Sequence, residues 1–235
     1  MRIGEKMQYE VIIPAAGSGK RMEESFNKLF IELDGKTIIE RTVDVFLTDM
    51  NCNKVILAIK PEERLVFDTI FTEKDSKILY VDGGIERQYS VRNGLASVSK
   101  DMKIVLVHDG ARPFVDHHQI EELVNRANET GATVLAVRVK DTVKKTEGFI
   151  IKETVQRENL WLIQTPQAFQ TEMIKQAHSW AIETGFLGTD EASLVENIGI
   201  SVSVTEGNYE NIKITTKEDI IFAEAILNKR GQNNV

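Results

Sequence analysis

The sequence predicts an α/β domain on a mostly parallel, twisted, Rossmann-like sheet, and three observations predict it. Apolar runs too continuous for half-exposed strands recur along the chain. Amphipathic helical stretches lie between them. Three loops of unusual composition fall at strand ends, where such sheets bind ligands. The runs are "YEVIIPA", "KVILAIK", "KILYVDGG", "KIVLVHD", "ATVLAVRV" and "ISVSVTEG". Among the helical stretches, "TIIERTVDVFLTD" sets Ile38, Ile39, Thr42, Val45 and Phe46 on one face, and "ERQYSVRNGLASV", "QIEELVNRANETG" and "KEDIIFAEAILNK" repeat the device. The loops are "PAAGSGKRM", "DGGIERQYS" and "HDGARPF".

The alternation breaks over residues 137–165. There two β-rich, charge-laced runs flank a Glu147-Gly148 turn and read as a long hairpin. Too few of its residues look buried for it to join the core. A protruding hairpin needs cover, and a second copy of the chain is the economical choice, so the expectation is a homodimer through this arm. The rest reads as a single domain over residues 1–235.

Composition narrows the function classes. The chain is 42% hydrophobic and 28% charged, enough to bury a full core. A formal net charge of −7 argues against a nucleic-acid surface, which must neutralise many phosphates. No apolar run approaches the ~20 residues of a membrane span, and "MRIGEKMQYE" lacks the apolar core of a secretory signal, so a cytoplasmic location is expected. The lone Cys52 reads as a packing residue.

"PAAGSGKRM" looks like a phosphate-binding loop without obeying the familiar patterns. A P-loop needs Gly where Pro14 stands and Ser or Thr where Arg21 stands, and the dinucleotide fingerprint fits Gly17 and Gly19 but meets Met22 at its third position. Gly17, Gly19, Gly83 and Gly84 supply either positive-φ turns or close approach of backbone donors to a ligand. Arg21, Lys28 and Lys213 read either as solvated surface charges or as phosphate ligands, and their place where strand patterns give way to loops favours phosphate. Asp109 reads as a turn cap paired with Arg112 or as a carboxylate for Mg²⁺, directly or through water. His117 and His118 open a surface helix, His178 falls within an amphipathic one, and His108 is expected to pack at a strand end. No nucleophile–histidine arrangement is legible. That favours phosphoryl or nucleotidyl transfer, in which positioning and charge neutralisation supply most of the acceleration.

"PAAGSGKRM", Lys28, "DGGIERQYS", "HDGARPF", "KDTVK", "TVQRENLW", "TPQ", "TDEAS" and "EGNYENIKIT" occur in the order typical of the 2-C-methyl-D-erythritol 4-phosphate cytidylyltransferase family, and the chain resembles it over nearly all its length after residue 8. The resemblance implies that CTP and a polyol phosphate acceptor are joined with Mg²⁺. It implies that Pro14, Ala15, Ala16 and Gly17 contact CTP, that Gly84 and Ser90 hold cytosine and ribose, and that Arg21 and Lys28 stabilise the transition state. By the same likeness Lys213 touches the phosphates, and Asp109, Ala111 and Arg112 line the junction with the sugar phosphate. Thr142 and Arg157 on the arm would reach the neighbouring subunit's site. The likeness identifies no metal ligands. Asn27 and Leu29 flank Lys28 where the family often has Pro and Gln, and Ile85 stands where it often has Asp. Ribitol-5-phosphate cytidylyltransferase, a non-catalytic nucleotide sensor and a dinucleotide oxidoreductase are the alternatives. The "PAAG" opening and "TDEAS" favour the methylerythritol enzyme over the ribitol one.

Overall fold

The structure is a computed structural model that describes residues 7–17, 27–71 and 76–232. Its central sheet has seven strands in the order β11-β7-β10-β6-β1-β4-β5. All six expected runs are in it: β1 (Tyr9–Pro14), β4 (Cys52–Ile59), β5 (Ile78–Asp82), β6 (Ile104–Val107), β7 (Ala132–Arg138) and β11 (Ser203–Glu206). Strand β1 pairs in parallel with both β4 and β6, β4 with β5, and β7 with β11. A seventh strand, β10 (Trp161–Gln170), runs antiparallel between β6 and β7.

Both faces of the sheet are covered, which is why its strands carry continuous apolar runs. On β1, Val11 and Ile13 face one core and Ile12 the other. The first core packs α1 (Ile38–Leu47), α4 (His117–Thr130) and α7 (Lys217–Gln232) through Phe46, Leu123 and Ala223. The second packs α3 (Arg87–Leu95), α5 (Thr171–Thr184) and α6 (Glu191–Asn197) through Val91, Ile174 and Leu194. A short helix α2 (Arg64–Ile70) follows β4, and a small ribbon of β2 (Glu32–Leu33) and β3 (Lys36–Thr37) leads into α1. Helix α1 begins with a capping box: the Thr37 hydroxyl accepts from Glu40 N (3.2 Å), and Thr37 N donates to the Glu40 carboxylate (3.3 Å). Val43, not Val45, lies fully buried on its inner face; Val45 is only partly covered.

The segment 137–165 divides differently from the expected single hairpin. Only β8 (Val143–Glu147) and β9 (Ile150–Val155) form the arm, whereas residues 137–138 close β7 and residues 161–165 open β10. The half of the segment that joins the sheet was hidden by composition. The middle of "WLIQTPQAFQ" is polar and carries Pro166, which normally argues against an inner strand. The pairing register with β7 shifts between Ile163 and Gln167, so the proline sits where the ladder is already interrupted. Gln164, Thr165 and Gln167 are buried there as hydrogen-bonding residues. On the arm itself Phe149 at the tip is fully exposed, and Ile150 and Ile151 are exposed beside it.

Candidate active site

The loops after β1, β5 and β6 converge at the carboxyl ends of the parallel strands, as this sheet type dictates. Together with the turn of Lys28–Phe30 and the segment before α7 they enclose a cavity of about 320 Å³. Its described walls are Pro14, Ala16 and Gly17; Asn27, Lys28 and Leu29; Gly84 to Arg87 and Ser90; Asp109 to Ala111; and Lys213 with Thr215. Arg21, Gly19 and Met22 lie outside the described residues.

Asp109 is the electrostatic centre of the wall. Its Oδ2 lies 2.7 Å from Lys213 Nζ and 4.0 Å from Arg112 Nε, and its Oδ1 lies 3.0 Å from Arg87 Nε. Burial pushes this carboxyl up, but Arg87, then Lys213 and Arg112, outweigh that and hold it well below the ordinary carboxylate range. It is therefore an anion at any physiological pH. The pairing anticipated with Arg112 is the longest of the three contacts. Arg112 turns chiefly to the Asn211 carbonyl, to which its Nη1 donates at 2.6 Å.

Backbone stitching brings these distant pieces of chain together. Ile214 N donates to Ala111 O (2.9 Å), and Lys28 Nζ donates to Ile214 O (2.7 Å). The Asn211 side-chain amide donates to Thr165 O (2.9 Å), tying the Lys213 segment to β10. Thr165 also accepts from Asp109 N (2.9 Å) and lies 3.2 Å from His108 Nδ1. His108 is fully buried, stacked edge-on to Phe46, with Nε2 donating to Arg112 O (2.9 Å). Burial lowers its pKa to about 4, so the ring is neutral, and its one N–H is already used. It packs, as expected, and shapes the Asp109–Arg112 loop.

The glycines at the second loop act by close approach rather than by positive φ, since Gly83 and Gly84 are absent from the positive-φ glycines among the described residues. A Cβ on Gly83 would lie 2.3 Å from Ala16 Cβ, so this glycine lets the two loops touch. A Cβ on Gly84 would lie 2.4 Å from Tyr89 Cβ and 3.1 Å from Ser90 N, against the first turn of α3. The Gly84 N–H is already engaged, donating to Ser90 Oγ at 2.9 Å. Gly84→Val should therefore disturb the fold before it disturbs a ligand. We expect a loss of about 1–3 kcal/mol, the scale of overpacking, read as a lower melting temperature; an unchanged melt would show that the loop gives way freely.

Asn27 resolves the departure from Pro beside Lys28. Its φ is −67°, the value a proline ring would impose, and its side chain supplies the remaining constraint. Oδ1 accepts from Leu29 N (3.2 Å), while Nδ2 donates to Ala15 O (2.9 Å) and Glu63 Oε2 (3.0 Å). One buried amide thus pins the Lys28 turn to the glycine loop and to the β4–α2 connection. Asn27→Ala leaves buried backbone groups unpaired at about 1–3 kcal/mol each. Its melting temperature should fall by about 2–4 °C per kcal/mol; a wild-type melt would remove this clamp from the account.

Ala15 stands behind the wall rather than on it: it is buried, its N–H donates to Ala58 O (2.8 Å), and its carbonyl takes Asn27. Ser90 is likewise buried, clasping Gly84, though its edge reaches the cavity. Ile85 is 96% exposed at the rim. Thr142 and Arg157 are exposed at and near the arm, away from the described wall of their own chain, and Arg157 donates to Lys140 O. Sequence reasoning missed Arg87 and Glu191. Arg87 Nη1 donates to Glu191 Oε2 at 2.6 Å, and that carboxylate is 1% exposed. Both residues sit inside motifs singled out above, "DGGIERQYS" and "TDEAS", but nothing in one sequence says that positions 104 apart meet. No group of three or more metal-ligating side chains exists among the described residues. Asp109 and Glu86 are the two carboxylates of the described wall, too few for an all-protein cage and a donor set that fits Mg²⁺ arriving on a polyphosphate.

A family model described as IspD: 2-C-methyl-D-erythritol 4-phosphate cytidylyltransferase matches residues 9–229. A curated relative of that name from Geobacillus kaustophilus is 50% identical over 226 residues, 95% of this chain and 99% of the relative. Another from Bacillus velezensis is 52% identical over 233 residues, 97% and 100% of the two chains. Among solved structures, the 4-diphosphocytidyl-2C-methyl-D-erythritol synthase of Anaerococcus prevotii superposes with a TM-score of 0.84 at 34% identity, covering 95% of this chain and 97% of that one. The 2-C-methyl-D-erythritol 4-phosphate cytidylyltransferase of Thermus thermophilus gives 0.79 at 34% identity, covering 94% and 98%.

Proposed function

The chain belongs to the 2-C-methyl-D-erythritol 4-phosphate cytidylyltransferase family, and from that premise we propose how its residues divide the work of the reaction. It is a nucleotidyltransferase that joins CTP and 2-C-methyl-D-erythritol 4-phosphate to give the CDP-linked methylerythritol and pyrophosphate, a step in isoprenoid biosynthesis. The ribitol enzyme, the sensor and the oxidoreductase fall away with that membership.

The observation that carries the assignment of roles is the cluster around Asp109, where Lys213 and Arg87 meet on the wall of a cavity that Lys28 also lines, and Arg112 lies 4.0 Å from the same carboxylate. A phosphate oxygen of the acceptor attacks the α-phosphorus of CTP. The bond from that phosphorus to the bridging oxygen breaks, and pyrophosphate leaves with the electron pair. Lys28, Lys213 and Arg21 neutralise the charge that gathers on the phosphate oxygens. The loop from Gly84 to Ser90 holds the base and ribose, with Ala16 and Gly17 contributing from the adjoining loop. Arg112, with Asp109 and Ala111, marks the junction between nucleotide and acceptor. Asp109 would hold Mg²⁺, which spreads charge over the triphosphate oxygens when bound. No general base is required, because a phosphate monoester with a second pKa of about 6 is already largely dianionic at neutral pH. The neutral, fully used ring of His108 agrees with this.

The assembly we propose is a homodimer. The arm of β8 and β9 exposes Phe149, Ile150 and Ile151, and β10 adds Leu162 and Ile163, apolar surface that a second copy would cover. That cover would bring Thr142 and Arg157 to the neighbouring site. No helix among the described residues is long and apolar enough to cross a membrane. Phosphorylated substrates of this kind suit a cytoplasmic location. A pyrophosphate-release assay with CTP and a panel of acceptors tests the reading. Release should require methylerythritol 4-phosphate and fail with ribitol 5-phosphate, and UTP should be a poor substitute; preference for ribitol 5-phosphate would contradict it.

A further inference from the structure

We propose that Glu191 is a positioning residue for nucleotidyl transfer, aiming Arg87 at Asp109 from outside the cavity; this rests on the reaction stated above. Glu191 opens α6, is 1% exposed, and does not belong to the described wall. Its Oε2 holds Arg87 Nη1 at 2.6 Å, while Nε of the same guanidinium reaches Asp109 Oδ1 at 3.0 Å. A guanidinium is a rigid planar fork, so fixing one edge on a buried carboxylate fixes where its other N–H groups point. Asp109 is thereby anchored through Oδ1, and Oδ2 is the oxygen turned toward Lys213.

The consequence appears when polyphosphate arrives. Drawing Lys213 onto phosphate releases Oδ2, yet Oδ1 stays anchored because Arg87 cannot follow the anion. Without the Glu191 charge, Arg87 has only Asp109 to hold it, and an anionic substrate competes for it. Asp109 then loses its orientation at the moment the transition state needs it.

The seat of α6 does not depend on this ion pair. Asp190 caps Ser193 N at 3.0 Å and accepts from Gln167 Nε2 at 2.7 Å, and Gln167 Oε1 accepts from Ala192 N at 3.2 Å. Glu191→Gln, which keeps shape and removes charge, should accordingly fold.

Steady-state pyrophosphate release by the full chain with CTP, Mg²⁺ and methylerythritol 4-phosphate tests the role. Glu191→Gln should lower kcat about tenfold with KM for CTP held within about twofold, the mark of an interaction felt in the transition state. Arg87→Lys, which cannot bridge both carboxylates, should show the same loss, and the double variant should be little worse than either single one. Wild-type kcat in a folded Glu191→Gln, with or without a lowered melt, would mean that the pair only braces the fold and would overturn the proposal; so would additive losses. If Glu191→Gln does not fold, Arg87→Lys decides, and wild-type turnover in it overturns the proposal equally. A wild-type chain that released no pyrophosphate would overturn the activity itself and this role with it.

Discussion

Lys213→Ala should turn over about 10²–10³-fold more slowly than the wild type, the scale for deleting one preorganised electrostatic group, while its fold stays nearly intact. Lys213 lies 2.7 Å from Asp109 on the cavity wall, and its side chain is 36% exposed. An ion pair so open to water contributes at most about 1 kcal/mol to stability. Asp109 also keeps Arg87 at 3.0 Å, so no buried charge is orphaned. The melting temperature should drop by no more than about 2–4 °C. Lys28→Ala is expected to be as slow, but Lys28 also holds Ile214 O, so part of its effect would reach the site through the Lys213 segment. Lys213 is the cleaner probe. Wild-type kcat in Lys213→Ala would remove it from the charge account; a large fall in melting temperature would assign it a structural role instead.

Co-expressed Arg157→Ala and Lys213→Ala subunits should recover activity that neither shows alone. Arg157 is exposed, donates to Lys140 O and is absent from the described wall of its own chain, as the proposed contribution to another copy requires. In a mixed dimer one site combines an intact Lys213 with a borrowed, intact Arg157, and the other site lacks both. Random assortment makes half the dimers mixed, so about one quarter of all sites should work if the interface is isologous. Tagging the two variants differently and purifying the hybrid doubles that share. Hybrids as inactive as their parents would place Arg157 within its own site or remove it from the reaction.

The expected strands and helices were legible because burial on both faces writes itself as uninterrupted apolar runs such as "YEVIIPA" and "KIVLVHD". Strand β10 was legible only as the end of the expected hairpin, because Gln164, Thr165, Pro166 and Gln167 look like loop, and hydrogen bonding to Asp109 and Asn211 uses that stretch. Lys28, Asp109, Ala111 and Lys213 could be placed from their motifs, and the fold gathers them in one cavity. What the chain order conceals is the wiring behind them. Arg87 drew no reading of its own within "DGGIERQYS", and its partner Glu191 arrives from α6. The glycines at 83 and 84 read either as positive-φ turns or as close approach to a ligand, and the structure makes each a place where two pieces of the chain itself come close. Asn27 stands where the family often has Pro, and its side chain supplies by hydrogen bonds the constraint that a proline ring would give.

The central claim is a single in-line displacement at the α-phosphorus, with charge neutralised by this cavity and no protein nucleophile. Its most direct test is the stereochemical course of the reaction with one diastereomer of CTP carrying sulfur on the α-phosphorus. One displacement predicts inversion at phosphorus in the CDP-linked product. Net retention would require two displacements through a nucleotidylated side chain and would contradict the account.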